Sequence, residues 1–279
     1  MSIPLRDLKG FPPQEILYYR IFASIIMVWA SILLLRKEQL KKDYAHFKVL
    51  PSGKKKILLL LTTLSAFLIT GNWFTYIYAV NSVSLKAAAF AYMVCPLITA
   101  LCGFVLLKEQ LTKIKIIALA IALISIILLA TGSLYEVLWA ILIASFYAVY
   151  IILLKVIKDV DKFNLLGIQL ILSGIIISPV YLISSQPFPL VTSFWLHIFL
   201  IAIVFTIIPL FLNAYALVGM PSSALGILIY LNPIVAFAVA FFYFKENIDV
   251  HQLFAYLLLL LSIVIFNAHL LKGMMAKKV

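Results

Sequence analysis

The sequence predicts an all-α polytopic membrane protein, an inverted-topology repeat of five-helix units with the opening helix of the first unit missing and about nine helices present. Three observations lead there. First, 65% of the 279 residues are hydrophobic and 11% charged, with a mean hydropathy of +1.17, against about 25% charged in a soluble domain. The apolar runs are continuous and about 20 residues long, as spanning helices require, and lack the alternation of a membrane β-barrel. Second, the stretch from Phe74 to Ile126 recurs 137 residues later without a gap. Phe74 meets Phe211, Tyr78 meets Tyr215, Pro96 meets Pro233, Lys108-Glu109 meets Lys245-Glu246, and Ser125-Ile126 meets Ser262-Ile263. Third, the net charge of +12 is concentrated at the ends of apolar runs and in one loop, which is the positive-inside pattern and not a nucleic-acid footprint.

Residues 1–14 are polar and proline-containing and do not resemble a cleavable signal. Spans are expected at 16–35, 57–80, 85–107, 113–131, 134–154, 164–184, 194–218, 222–244 and 250–270. The breaks between them carry turn residues: Pro51-Ser52-Gly53, Thr131-Gly132-Ser133, Pro187 and Pro189, and Gly219-Met220-Pro221. Thr112 and Asp249 hold matching places in the two copies as N-caps of the helices that follow. Cys95 and Cys102 lie seven residues apart on one helix, roughly 10 Å of rise, beyond the about 7 Å limit for a disulfide.

Orientation follows from the loops. Eight Lys or Arg residues lie in 36–56, which is therefore cytoplasmic. Alternation then places 108–112, 155–163 and the tail (Lys272, Lys277, Lys278) on the same side, while 131–133 and 185–193 carry no charge. The span at 57–80 thus runs outward and its copy at 194–218 runs inward, so the repeats are antiparallel. Inverted repeats of this kind build secondary transporters, with the substrate site near the midplane.

Such a unit needs an odd number of spans. The second unit, 134–270, has five; the first, 1–131, has four and is expected to lack its first helix; residues 271–279 form a cytoplasmic tail. The matched corners Leu106-Leu107-Lys108-Glu109-Gln110-Leu111-Thr112 and Tyr243-Phe244-Lys245-Glu246-Asn247-Ile248-Asp249 close each fourth helix. With the five-plus-five plan, they resemble the EamA family of the drug/metabolite transporter superfamily. Gly71-Asn72-Trp73, Ala79-Val80-Asn81 and an early Arg20 are similar to its RarD-like, chloramphenicol-sensitivity branch. The resemblance implies export of a small organic metabolite or drug, and a peripheral place for the helices 113–131 and 250–270.

Polar residues inside spans must find partners away from lipid. Asn72, Thr75 and Tyr76 share one helical face, with Trp73 adjacent; Tyr92, Cys95 and Thr99 share another beside Pro96. Asn213 and Asn232 are the repeat counterparts of Tyr76 and Cys95, and Tyr230, Tyr147 and Gln169 add further polar tips. Two readings stand: an aromatic cavity with amide handles for a small amphipathic or aromatic solute, or hydrogen-bonding glue between helices. Trp73 and Tyr78 also suit an interfacial belt. Pro96 and Pro233 kink their helices, as gating hinges or to shape packing. Arg20, about one turn into its span, is expected to snorkel to the outer surface; the alternative is a cavity mouth beside Glu15 that attracts anions.

No phosphate loop, metal-ligand spacing, nucleophile elbow or histidine pair is present in the sequence. No catalytic residue, cofactor, metal or nucleic-acid partner is expected, and no carboxylate lies deep in a span to relay protons. The leading expectation is a multi-pass transporter of the cytoplasmic (inner) membrane, with a small-molecule substrate, the lipid bilayer as solvent and its C-terminus in the cytoplasm. A membrane-embedded enzyme and a non-transporting subunit are the alternatives. The helices 113–131 and 250–270, apolar except for Ser125 and Ser262 at their middles, are expected to face lipid and to brace each half or form a homo-oligomer contact.

Overall fold

The computed structural model describes residues 8, 10–79, 83, 85–129, 134–158, 160–184, 188–232, 235, 250–266 and 268. Pro233, the Lys245-Glu246 corner, Asp249 and the tail lie outside the described residues. The protein is an all-α membrane protein, and its helices are α1 (Pro13–Leu35), α2 (Lys37–Val49), α3 (Ser52–Tyr78), α4 (Leu85–Leu107), α5 (Lys113–Leu129), α6 (Leu134–Val156) and α7 (Lys162–Ser184). Next come α8 (Thr192–Ala202), a π-helical turn (Ile203–Ile207), α9 (Ile208–Gly219), α10 (Ser222–Leu228) and α11 (Val250–Phe266). Among the described residues, six stretches are long and apolar enough to cross a membrane: Gln14–Leu35, Ser52–Tyr78, Phe90–Leu107, Leu134–Val156, Lys162–Ile183 and Thr192–Gly219. Among the described residues α5 spans 17 and α11 17, just under that length.

Two elements depart from expectation. The basic 36–56 segment is not a plain loop but contains α2, a 13-residue polar helix. Its residues are mostly good helix formers, and Glu38 pairs with Lys41 at 2.8 Å while Gln39 Nε2 donates to Asp43 at 3.1 Å, both one turn apart. The span at 194–218 is interrupted by the π turn. Pro209 lacks an amide hydrogen and its ring crowds the Phe205 carbonyl, so the register slips before it. Thr206 Oγ1 donates to the Ile201 carbonyl at 3.2 Å within this turn.

The chain divides into two compact units, residues 1–77 with 153–219, and residues 78–152 with 220–279. The first unit holds α1, α2, α3, α7, α8 and α9. Here α1 lies against α7 at Gly167 and Gly174, where a Cβ would meet Ile32 Cδ1 at 2.8 Å and Ile25 Cδ1 at 2.9 Å. Glycine is what allows this approach, and Trp29 Nε1 donates to the Gly167 carbonyl at 3.0 Å across it. The other side of α1 packs Ile16, Tyr19 and Ala23 on Phe194, Ile198 and Ile201 of α8. At the α7 start, Asp161 Oδ1 accepts from the Phe163 and Asn164 amides and Oδ2 from Arg36, while Asp43 of α2 accepts from the Asp161 amide and from Asn164 Nδ2. That mesh fastens α2 to the ends of α1 and α7.

The second unit holds α4, α5, α10, α11 and most of α6. Ala118, Ala122 and Ile126 of α5 pack on Leu259, Ile263 and Phe266 of α11, with Met93 of α4 and Ala224, Ile227 and Tyr230 in the same core. Alanine one turn apart lets the backbones close in, and Ser125 Oγ donates to the Ala255 carbonyl at 2.7 Å. The outer rows of both helices, Ile117 and Ile124 on α5 and Leu257 and Leu261 on α11 among them, stay exposed, as lipid-facing surfaces do.

Candidate substrate site

In the first unit Arg20 is 5% exposed, so it does not snorkel as expected. The reason is local: Pro13 occupies the first turn of α1, where its missing amide hydrogen costs nothing. The helix therefore begins earlier than its apolar run and places Arg20 about two turns inside it. Its guanidinium lies over the Trp73 ring of α3, 4.9 Å from the centroid. Asn72 is buried beside Trp73, and Tyr76, half-buried, follows one turn later on α3. Thr75, on the same face, donates its hydroxyl to its own helix, to the Gly71 carbonyl at 2.7 Å and the Asn72 carbonyl at 3.2 Å. Trp73 and Ile77 pack against Leu17 and Ile21 of α1 and Ile177 of α7.

Next to this group stands an aromatic cluster that the sequence reading passed over. Tyr18 stacks on Tyr181 with centroids 3.8 Å apart, and the Tyr19 and Tyr181 hydroxyls are 2.5 Å apart. Phe194 and Trp195 meet Tyr19 edge-on at 5.5 and 5.2 Å. Adjacency of Tyr18 and Tyr19 to Arg20 in the chain was the available signal. Gln169 behaves as interhelical glue: it is buried and its Nε2 donates to Ser65 Oγ at 2.6 Å, while Thr70 donates to Ser173 at 2.7 Å between the same helices. Asn213 is half-buried on α9.

In the second unit Tyr92 is half-buried and Pro96 buried on α4, Tyr147 is half-buried on α6 with its ring 6.0 Å from that of Tyr150, and Asn232 is exposed. Thr99 donates to the Cys95 carbonyl at 2.8 Å. Tyr230 is fully buried, and its hydroxyl has no partner among the described residues.

The Lys108-Glu109 corner has a more specific role than a helix end. Lys108 adopts φ 54°, a left-handed turn that reverses the chain after α4, and the Glu109 amide donates back to the Gly103 carbonyl at 3.0 Å. The Glu109 carboxylate then accepts from the Ser222 amide at 2.6 Å, the Ser222 hydroxyl at 2.8 Å and the Ser223 amide at 3.1 Å. A carboxylate from the first copy thus caps α10, a helix of the second. Burial by itself raises the pKa of this group; the donors of Ser222 and Ser223 outweigh it and hold the carboxyl below its ordinary value. Among the described residues no three His, Cys, Asp or Glu side chains gather into a metal-holding group.

A family model described as the EamA-like transporter family matches residues 5–131 and again 134–268. The chain belongs to the EamA-like transporter family. The uncharacterized transporter YojE of Bacillus subtilis is 30% identical over 97% of this chain and 90% of that protein. The RarD proteins of Streptomyces exfoliatus and Escherichia coli are 27% and 26% identical, covering 86% and 92% of this chain and 74% and 86% of their own lengths. This EamA-like protein therefore falls with the RarD-like branch and is a multi-pass membrane transporter. A crystallographically solved protein shares the fold at a TM-score of 0.74 and 15% identity, over 95% of this chain and 90% of the other.

Proposed function

We propose that this EamA-like protein is a secondary transporter that exports a small organic metabolite or drug across the cytoplasmic membrane by alternating access. The two family matches, residues 5–131 and 134–268, are read as two units of opposite orientation, four helices in the first and five in the second, with the basic segments and the C-terminus in the cytoplasm. The observation that carries the reading is Arg20, a charged side chain buried in a spanning helix and laid on Trp73. Ionisable groups held inside membrane spans mark substrate and ion pathways. Within the first unit Asn72, Trp73, Tyr76 and Asn213 line that pathway with Arg20, and Gln169, bonded to Ser65, joins it from a packing position; within the second unit Tyr92, Tyr147, Tyr230 and Asn232 are the polar tips assigned to substrate contact. Pro96 shapes the helix that carries it.

The test is flux of a metabolite panel in proteoliposomes under imposed proton, sodium and substrate gradients. Asn72→Ala and Tyr76→Phe are expected to lower flux severalfold while the protein remains monodisperse. Absence of flux for every solute under every gradient rejects the transporter reading, and unchanged flux in both variants removes these residues from the pathway.

A further inference from the structure

We infer that α2 and the lysines that follow it form a binding surface for anionic phospholipid headgroups, on the leaflet that this segment faces. In the topology proposed above, that leaflet is the cytoplasmic one. The inference goes beyond transport, because it concerns how the protein holds its membrane and not what it moves.

The chain itself sets the depth of this surface. Leu33, Leu34 and Leu35 end the span α1 and are exposed, as are Ile57, Leu59 and Leu60 near the start of the span α3. Exposed apolar rows of this kind on spanning helices are covered by acyl chains. Arg36 directly follows the first row and Lys56 directly precedes the second. Residues 36–56 are therefore pinned at both ends to the edge of the hydrocarbon, at the level of the headgroups. Their eight Lys and Arg residues stand against Glu38 and Asp43 alone, a net charge of +6.

The fold then sorts these charges. One face of α2 is turned to the protein: Gln39, Leu40, Asp43 and Phe47 are half-buried there, and Asp43 is committed to the Asp161 amide and to Asn164. Lys37, Lys41, Tyr44 and Lys48, spaced four, three and four residues apart, lie on another face and are all exposed. Lys48 Nζ lies over the Tyr44 ring, 4.7 Å from its centroid, and Lys55 Nζ of α3 donates to the Lys48 carbonyl at 2.8 Å. An exposed tyrosine set among lysines suits a membrane surface: the ring enters the headgroup layer and the ammonium groups meet phosphate. Asp161 pairs with Arg36 and Glu38 with Lys41, whereas Lys37, Lys42, Lys48, Lys54, Lys55 and Lys56 form no salt bridge among the described residues. Such cations, held beside the bilayer, gain about fivefold in affinity for an anionic surface per lysine. Lipid phosphate is also the anion that the two flanking spans bring next to them.

The test uses the full-length protein, delipidated in a neutral detergent, with dioleoylphosphatidylglycerol and dioleoylphosphatidylcholine as probes and lipid retention read by native mass spectrometry. The wild type is expected to bind phosphatidylglycerol about tenfold or more tightly than phosphatidylcholine. The stripe variant Lys37→Gln/Lys41→Gln/Lys48→Gln is expected to lose about tenfold or more of the phosphatidylglycerol affinity. The control Lys113→Gln/Lys115→Gln/Lys158→Gln removes the same charge from other helix ends and is expected to lose less than about threefold. Equal binding of the two lipids by the wild type, unchanged affinity in the stripe variant, or an equal loss in the control overturns the inference. Displacement of phosphatidylglycerol by glycerol 3-phosphate at equal concentration would assign the lysines to a soluble anion, and displacement by a short oligonucleotide to nucleic acid; either result overturns it too. The wild-type comparison decides the matter even where a variant does not fold. Flux enters none of these measurements, so their failure leaves the transport reading standing.

Discussion

Glu109 offers the sharpest test of how the helices are held. Its carboxylate accepts three hydrogen bonds, two from backbone amides and one from a hydroxyl, at 2.6, 3.1 and 2.8 Å. Bonds to a charged group contribute about 1.5–3 kcal/mol each when isolated, but these three share one half-exposed carboxylate and one desolvation cost. Helix N-caps lost to alanine cost about 0.5–2 kcal/mol, and an anion at a helix start adds about 0.3–1 kcal/mol. Glu109→Ala should therefore destabilise the protein by about 2–3 kcal/mol, and Glu109→Gln, which keeps an acceptor oxygen and loses the charge, by about 1–2 kcal/mol. The assay is unfolding by SDS titration in mixed micelles, followed by tryptophan fluorescence. The pH dependence carries its own sign. The folded carboxyl titrates below its ordinary value of 4.5. Its stabilisation is thus fully present above the unfolded pKa and is lost as pH falls through the folded one. The gap between wild type and Glu109→Gln should hold at pH 7 and close in acid. Alanine and glutamine variants both within about 0.5 kcal/mol of wild type at pH 7 would refute the cap.

Other expectations follow the same logic. Gly103→Ala would place a Cβ 2.8 Å from both Glu109 Oε2 and Ser222 Oγ, so it should disturb the same cap and be non-additive with Glu109→Ala in a double-mutant cycle. Gly226→Ala would meet the stiff Thr99 side chain at 2.9 Å and should destabilise the α4–α10 crossing by about 1–3 kcal/mol in the same titration. Asp161→Ala removes the α7 cap and the Arg36 contact; the readout is faster trypsin cleavage within α2, with a stability loss of about 1 kcal/mol. A disulfide joining α5 to α11 near Ser125 and Ala255, in a background free of Cys95 and Cys102, should leave flux unchanged, because both helices belong to one unit; loss of flux on oxidation and recovery on reduction would contradict that.

Much of the fold was legible because the signals are long and one-dimensional. Apolar runs gave the spans, and Thr112 was found near its predicted role, accepting from the Lys115 amide at 3.5 Å. What escaped depends on partners distant in sequence. Polarity alone marked 36–56 as a loop, yet Asp43 and Arg36 meet residues more than a hundred positions away. The π turn required weighing Pro209 against the uniform hydropathy around it. Arg20 was misplaced because its depth was counted from the first apolar residue, whereas Pro13 sets the start of α1. For the candidate site, the face Asn72–Trp73–Tyr76 was readable from spacing on one helix. That Trp73 supports Arg20 was not, since no pattern within either helix encodes a contact between them.

The repeat itself takes on a physical meaning in the second unit. Ser125-Ile126 and Ser262-Ile263, matched at a shift of 137, are all buried there, with Ile126 and Ile263 in one core. The stripe on α5 is covered by the stripe on its own repeat counterpart, α11. The same holds at the corner, where Glu109 closes α4 and caps α10, the counterpart of α4. In the first unit α3 likewise shares its unit with α8 and α9, which carry its repeat counterpart. Each contact-defined unit is therefore assembled from both copies rather than from one. A duplicated segment already carries a surface that fits its twin, so matched polar residues such as Ser125 and Glu109 serve the joint between copies. The candidate solute site at Arg20 lies on α1, ahead of the stretch that the shift of 137 aligns.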